Sequence, residues 1–233
     1  MPTLADGGAR IWVIAHRGAS HDEPENTLPA FERAIELGAD FVELDVQVSS
    51  DGELVVFHDL SLDRLTSLSG PLRHRPEAEL HEVGIPTLAE VVELTAGRIG
   101  VMAELKSPRL YRRHDVVRRT VELLPRGSLV LSFDASALEE AARLRPRHDL
   151  IQHVGFGVTI RRAARYAWGV GFLNERVTAR GLATAARLSL ASTVYTVNDT
   201  KRVKELAALG VAGVFTDCPD RALRSLARPR PAG

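Results

Sequence analysis

The chain contains 233 residues, of which 45% are hydrophobic and 26% are charged, and its 30 basic residues balance its 30 acidic ones. A neutral chain of this composition gives no electrostatic reason to expect nucleic acid or an anionic membrane as a partner. Its single cysteine, Cys218, excludes an internal disulfide and a thiolate metal cluster. No secretory signal and no run of about 20 apolar residues is visible, so we expect a cytoplasmic protein without stable membrane insertion.

Short β-rich runs alternate with helical patterns along the chain. The predicted strands are 11–15, 41–48, 100–105, 129–133, 150–154, 169–173, 192–197 and 212–216. The helices between them begin at candidate N-caps, which are Thr27, Thr87, Asp134, Thr178 and Thr200. Eight such units in a chain of this length predict an α/β fold of the (β/α)8 TIM-barrel type, which usually takes about 250 residues. An open doubly wound sheet competes, but no glycine-rich dinucleotide loop follows the first strand.

The region after the second strand breaks this alternation. Residues 46–58 are predicted as a hairpin, because Asp51 and Gly52 form a typical tight turn. The following residues, about 59–85, are irregular and too long for an ordinary loop, so we expect a short insertion near the site. The whole chain, 1–233, is predicted to be one barrel domain that ends in a frayed tail at about 228–233.

Acidic side chains lie on two of the predicted strands. Glu43 and Asp45 are two residues apart, so both project to one face of their strand, toward the barrel interior. Glu104 and Lys106 are also two apart at the next strand. Carboxylates that share a dry site repel each other unless a cation lies between them. Three carboxylates without cysteine favour a hard divalent cation, Mg²⁺ or Ca²⁺.

Histidines and further cations surround this predicted cation site. His16 and Arg17 follow the first strand, and His58 ends the hairpin. Two histidines beside a metal ion suit general acid–base catalysis, while Arg17 and Lys106 suit a phosphate. Each feature alone has an ordinary explanation, such as a hydrogen-bonded histidine, a solvated strand edge or a salt bridge. Their coincidence at the ends of the first strands favours one site for phosphoryl chemistry.

The motifs at these positions resemble those of the glycerophosphodiester phosphodiesterase family. They are "AHRGAS", "PENT", "ELDVQ", "DGELVVFHD" and "LDRLT". The resemblance continues through "IPTLAEVVEL", "AELK", "LSFD", "YTVND" and "GVAGVFTDCPD", and it covers residues 11–227. It implies a TIM barrel, a divalent metal ion and hydrolysis of small-molecule glycerophosphodiesters to sn-glycerol 3-phosphate and an alcohol.

The resemblance also implies roles for particular residues. The metal ligands would be Glu43, Asp45 and Glu104, the acid–base pair His16 and His58, and the phosphate contacts Arg17 and Lys106. Glu25 and Asn26 would support the first loop. Tyr195, where the family often has tryptophan, would either pack on the glycerol as a substrate wall or belong to the core. The implied route is attack of the glycerol 2-hydroxyl on phosphorus, which gives a cyclic phosphate that water then opens.

Three other functions remain open at this point. A lysophospholipase D-type enzyme, or another lipid phosphodiesterase on this scaffold, would use an apolar patch, for which the insertion offers Leu60, Leu62, Leu65, Leu68 and Leu72. A non-catalytic phosphodiester-binding protein would have no need of two titrating histidines. Metal-free cleavage of the phospholipase C kind would not require three converging carboxylates. The choice between Mg²⁺ and Ca²⁺, the head group, the order of the histidines and the oligomeric state also stay open.

Overall fold

The computed structural model describes residues 10–144, 148–155 and 157–228. Within them the strands are β1 Trp12–His16, β2 Phe41–Val48, β3 Leu54–Val56, β4 Gly100–Leu105, β5 Leu129–Ser132, β6 Asp149–His153, β7 Gly169–Leu173, β8 Ala191–Tyr195 and β9 Gly213–Thr216. Eight of these pair in parallel, and β1 joins both β2 and β9, so the sheet closes into a barrel. The short β3 pairs with β2 in the antiparallel direction, as the hairpin prediction requires. The predicted TIM barrel is therefore confirmed.

Helices surround the barrel and connect its strands. They are α1 Leu28–Leu37, α2 Glu77–Glu82, α3 Leu88–Thr95, α4 Val116–Leu123, α5 Ala135–Arg143, α6 Ile160–Ala163, α7 Ala179–Arg187, α8 Thr200–Ala208 and α9 Pro219–Ser225. Side-chain hydrogen bonds confirm the N-caps Thr27, Thr87, Asp134 and Thr178. The fifth prediction, Thr200, is wrong by one residue, because the carboxylate of Asp199 accepts from the backbone N–H of Lys201.

Alternation along β2 separates an apolar outer face from a polar inner face. Val42, Leu44 and Val46 are fully buried in the core beneath the helices. The intervening Glu43 and Asp45 therefore project into the barrel, as their spacing predicts. Deeper in the barrel the interior is apolar and includes Ile14 from β1 and Met102 from β4. The polar residues therefore lie above a buried apolar layer.

The insertion after β3 is more ordered than its sequence indicates. It contains a 3₁₀ turn, Leu72–His74, and helix α2, and it has a small core of its own. Leu62 and Leu72 are buried in that core, so they are not available for the apolar patch considered above. Leu60 and Leu65 are 44% and 42% exposed.

Both ends of the described chain reach Asp40, directly before β2, because Arg10 and Arg228 each donate to its carboxylate. Arg228, where the predicted tail begins, donates to Asp40 Oδ2 over 2.7 Å. The rest of the predicted tail, 229–233, lies outside the described residues.

Among the residues that the structure describes, no helix has both the length and the apolar character needed to cross a bilayer.

Candidate active site

Strand register places four of the predicted site residues side by side toward the carboxyl ends of β1, β2 and β4, a region that we call the barrel mouth. His16 is the register partner of Glu43, and Asp45 is the partner of Glu104. Partners on adjacent parallel strands share a face, so their side chains project next to each other. Lys106 follows directly after β4. The spacing in sequence and the barrel closure together produce this convergence.

Three carboxylates form a buried cluster at the mouth. Glu43, Asp45 and Glu104 each offer an oxygen that lies within 4.8 Å of the other two. Their residues are only 2%, 0% and 6% exposed. Asp45 Oδ1 is buried and makes no hydrogen bond, although Lys106 Nζ is 3.1 Å away. A buried set of three carboxylates with an unsatisfied oxygen fits a hard divalent cation, so these residues can hold one.

Two side-chain cations partly neutralise this cluster. Lys106 Nζ also lies 2.8 Å from Glu104 Oε1, and Arg17 Nε lies 3.3 Å from Asp45 Oδ2. Burial and the neighbouring Asp45 raise the pKa of Glu43 to about 8. Burial also acts to raise the pKa of Glu104, but Lys106 and His153 together outweigh it, and the net pKa lies below the ordinary value. Lys106 therefore compensates the negative charge of Glu104 better than that of Glu43.

The turn after β1 presents the backbone of Arg17 to the cluster. Its N–H donates to Glu43 Oε2 over 3.0 Å, and its φ of 58° is the left-handed conformation that non-glycine residues rarely adopt. Gly18 continues the turn at φ 82°, where an added Cβ would lie 2.7 Å from the backbone of Ala30. The Arg17 side chain donates to Glu25 Oε1 over 2.8 Å. This tight geometry explains why the first strand stops at a His-Arg-Gly sequence.

His16 is oriented by an acid from the far end of the chain. Its Nδ1 lies 2.7 Å from Asp217 Oδ1, just beyond β9. Asp217 also accepts from Asn198 Nδ2 at 2.7 Å and from Ser20 Oγ at 3.2 Å. Burial acts to lower the pKa of His16, but the bond to Asp217 and the charge of Glu43 raise it overall. With Nδ1 engaged, Nε2 is the nitrogen left for chemistry.

His58 has a similar arrangement. Its Nδ1 lies 2.6 Å from Asp59 Oδ1. Gln47 Nε2 donates to the carbonyls of Phe57 and Asp59 over 2.8 and 2.7 Å, so it holds the backbone on both sides of His58. Gln47 Oε1 in turn accepts from the hydroxyl of Tyr111 over 2.8 Å. Both histidines are therefore fixed through Nδ1 by an aspartate.

Aromatic rings form one side of the mouth. The Tyr195 ring lies 5.8 Å from Phe133 and 4.4 Å from His153, between ring centroids. The Tyr195 hydroxyl is buried without a hydrogen-bond partner in the described structure. An added Cβ on Gly171 would lie 2.2 Å from His153 Nδ1, so glycine is needed there to admit the imidazole. Tyr195 therefore lies at the mouth and packs against Phe133 and His153 there.

The structure brings together all eight residues singled out from the sequence, since His58 lies near enough for its charge to act on Asp45 and Tyr195 lies near Glu104 and Lys106. It also adds partners that sequence reasoning missed, namely Gln47, Asp59, Arg64, Asn198 and Asp217. Asp217 and Asn198 stand in the "FTDCPD" and "YTVND" motifs, directly after β9 and shortly after β8. Their positions after strand ends were therefore a usable signal. Arg64 stands in the "LDRLT" motif of the insertion, but neither that motif nor its place after β3 indicates which groups it contacts.

Comparison with known proteins agrees with this fold. The model of the glycerophosphoryl diester phosphodiesterase family matches residues 16–221. A glycerophosphodiester phosphodiesterase of Bacillus altitudinis is 31% identical, over 91% of this chain and 96% of its own length. A phosphodiesterase of Oleispira antarctica, solved with its product sn-glycerol-3-phosphate, has a TM-score of 0.85 at 28% identity, covering 93% of this chain and 96% of that chain.

A glycerophosphodiester phosphodiesterase of Thermotoga maritima is similar as well. Its TM-score is 0.78 at 26% identity, and the match covers 95% of this chain and all 100% of that chain. These similarities, with the site described above, define a TIM-barrel phosphodiesterase. More narrowly, the chain belongs to the glycerophosphoryl diester phosphodiesterase family.

We expect a divalent cation to stabilise the fold through the acidic cluster. At about 100 times its Kd a ligand contributes about 2.7 kcal/mol, which corresponds to a rise in Tm of about 5–10 °C for a chain of this size. Differential scanning calorimetry with EDTA, Mg²⁺ or Ca²⁺ measures this shift. Glu43→Gln should lose most of it, whereas Glu93→Gln, at an exposed position, should keep it. Equal shifts in both variants would contradict a cation site at Glu43.

Proposed function

We propose that the protein hydrolyses glycerophosphodiesters to sn-glycerol 3-phosphate and an alcohol with a divalent cation and two acid–base histidines. The observation that carries the proposal is the gathering of Glu43, Asp45 and Glu104 within 4.8 Å, with His16 beside Glu43 and His58 near Asp45. A bound divalent cation supplies charge neutralisation at the phosphoryl oxygens and activation of a nearby hydroxyl. Mg²⁺ and Ca²⁺ both suit this oxygen ligand set.

The chain's own cations bind and orient the phosphate in this proposal. Lys106 and Arg17 lie against the carboxylates and are positioned to share their positive charge with an incoming diester. The planar guanidinium of Arg17 can contact two phosphoryl oxygens, whereas Lys106 acts as a point charge. Tyr195 and its aromatic neighbours provide an apolar wall for the glycerol carbons.

Proton transfer follows from the two imidazoles. One histidine takes the proton of the glycerol 2-hydroxyl as its oxygen bonds to phosphorus, and the other protonates the alcohol oxygen as its bond to phosphorus breaks. The product of this step is a cyclic phosphate. Water then attacks phosphorus and gives its proton to the second histidine, while the first protonates the 2-oxygen as the ring opens. Because Asp217 and Asp59 hold Nδ1 of each ring, Nε2 performs these transfers.

The reaction is tested by incubating the purified protein with glycerophosphocholine and measuring both products. We expect glycerol 3-phosphate and choline, no turnover in EDTA and recovery with Mg²⁺ or Ca²⁺. Lysophosphatidylcholine in a parallel assay decides whether a lipid diester is preferred. A diester that lacks the 2-hydroxyl should not be cleaved, since it cannot form the ring. Release of glycerol and phosphocholine, or full activity in EDTA, would contradict the proposal.

Removing either imidazole should remove acid–base catalysis. His16→Ala and His58→Ala are each expected to lower kcat by about 10²–10⁴-fold. His74→Ala is the matched control, because His74 is exposed in the turn of the insertion. Steady-state kinetics are measured beside the thermal unfolding of each variant. A kcat within about threefold of the unsubstituted enzyme would exclude that histidine from the chemistry.

A further inference from the structure

We propose that Arg64 is a positioning residue that fixes both His58, which transfers a proton, and Arg17, which contacts the phosphate. The proposal rests on the proposed function, in which His58 transfers a proton and Arg17 contacts the phosphate. Arg64 lies in the insertion and is 48% exposed, so it reaches the mouth from its outer rim. It touches none of the groups proposed to contact substrate, and acts instead through the two carboxylates that hold them.

A single guanidinium holds two acids from different loops. Arg64 Nε donates to Asp59 Oδ2 over 2.6 Å. Its two terminal nitrogens donate to both oxygens of Glu25, over 2.7 and 3.2 Å. Asp59 belongs to the start of the insertion, and Glu25 belongs to the loop after β1. Arg64 therefore ties together the two loops on either side of Asp45.

The first carboxylate transmits this contact to His58. Asp59 uses Oδ2 for Arg64 and Oδ1 for His58 Nδ1, so the guanidinium fixes the rotation of the carboxylate that orients the imidazole. The bond to Arg64 holds the pKa of Asp59 at about 2, which keeps it an anion and an acceptor. Gln47 fixes only the backbone of this loop. The side chain of Asp59 depends on Arg64.

The second carboxylate transmits the contact to Arg17. Glu25 Oε1 accepts both from Arg64 and from Arg17 Nη1, at 2.7 and 2.8 Å. Arg17 Nε is then left 3.3 Å from Asp45 Oδ2, next to the acidic cluster. Without Arg64, Glu25 would lose the partner that holds it at the rim, and Arg17 would lose its fixed direction.

A simple surface salt bridge is the alternative explanation. Exposed ion pairs usually contribute little to stability, and lysine often replaces arginine in them without loss. Here three N–H groups of one planar fork reach two acids at once, which a single ammonium group cannot reproduce. The two explanations therefore differ in what Arg64→Lys should do to catalysis.

The test compares Arg64→Gln and Arg64→Lys with a matched control, Arg98→Gln. Arg98 is a similarly exposed arginine that donates hydrogen bonds to both carboxylate oxygens of Glu32, away from the mouth. We expect Arg64→Gln to lower kcat for glycerophosphocholine by about 10–100-fold, because small misplacements of catalytic groups cost that much. Arg64→Lys should stay at least about fivefold below the unsubstituted enzyme, and Arg98→Gln should be unchanged. A kcat for Arg64→Gln within about twofold of normal would overturn the proposal.

Two further variants separate the effect of Arg64 on His58 from its effect on Arg17. Asp59→Asn should lower mainly kcat, Glu25→Gln should raise mainly KM, and Arg64→Gln should do both. Adding Arg64→Gln to Asp59→Asn should lower kcat little further, since the two act through one contact. Full additivity of the kcat effects would show that Arg64 does not act through Asp59.

Nitrogen NMR of the His58 ring gives a readout independent of turnover. In the unsubstituted enzyme at high pH, the proton should reside on Nδ1, whereas Arg64→Gln should populate both tautomers. An unchanged tautomer, together with a lowered Tm, would indicate a merely structural role and overturn the proposal. If glycerophosphocholine is not hydrolysed at all, the proposed function fails, while this spectrum still decides whether Arg64 positions His58.

Discussion

Three carboxylates held together out of water are the constraint on which the site depends. The oxygens of Glu43, Asp45 and Glu104 lie within 4.8 Å of one another in an almost fully buried place. Like charges repel strongly at this distance where the dielectric is low, so the arrangement needs compensating cations. Lys106 and Arg17 supply part of that charge. A divalent ion would supply the rest.

The same constraint explains why cations and histidines surround the cluster. Lys106 and Arg17 pair with carboxylates of the cluster, and under the proposed function an ion bound among the carboxylates would free them to face a phosphate. His16 and His58 lie on different sides, beside Glu43 and Asp45, and each is held by its own aspartate. Under the proposed function, binding, charge neutralisation and proton transfer would be served by groups gathered around one acidic cluster.

Local sequence patterns were sufficient to predict the barrel and the convergence of its inner polar residues. The spacing of Glu43 and Asp45 gives their common face directly. What the sequence could not supply were contacts that depend on closure and on loop paths, such as His16 with Asp217, 201 positions apart. The insertion was wrongly read as irregular because Leu62, Leu72 and Leu80 follow neither a strand nor a helix period, although they share one core. The "LDRLT" motif contains Arg64, but its contacts with Asp59 and Glu25 depend on the path of the insertion and could not be predicted from it.

Crystals soaked in Mn²⁺ offer the most direct measurement, because this ion prefers the same oxygen ligands and scatters anomalously. The central claim predicts one anomalous peak at the barrel mouth, at about 2–2.6 Å from an oxygen of each of Glu43, Asp45 and Glu104. A fully occupied peak elsewhere, with these three carboxylates bound only to Lys106 and Arg17, would contradict it.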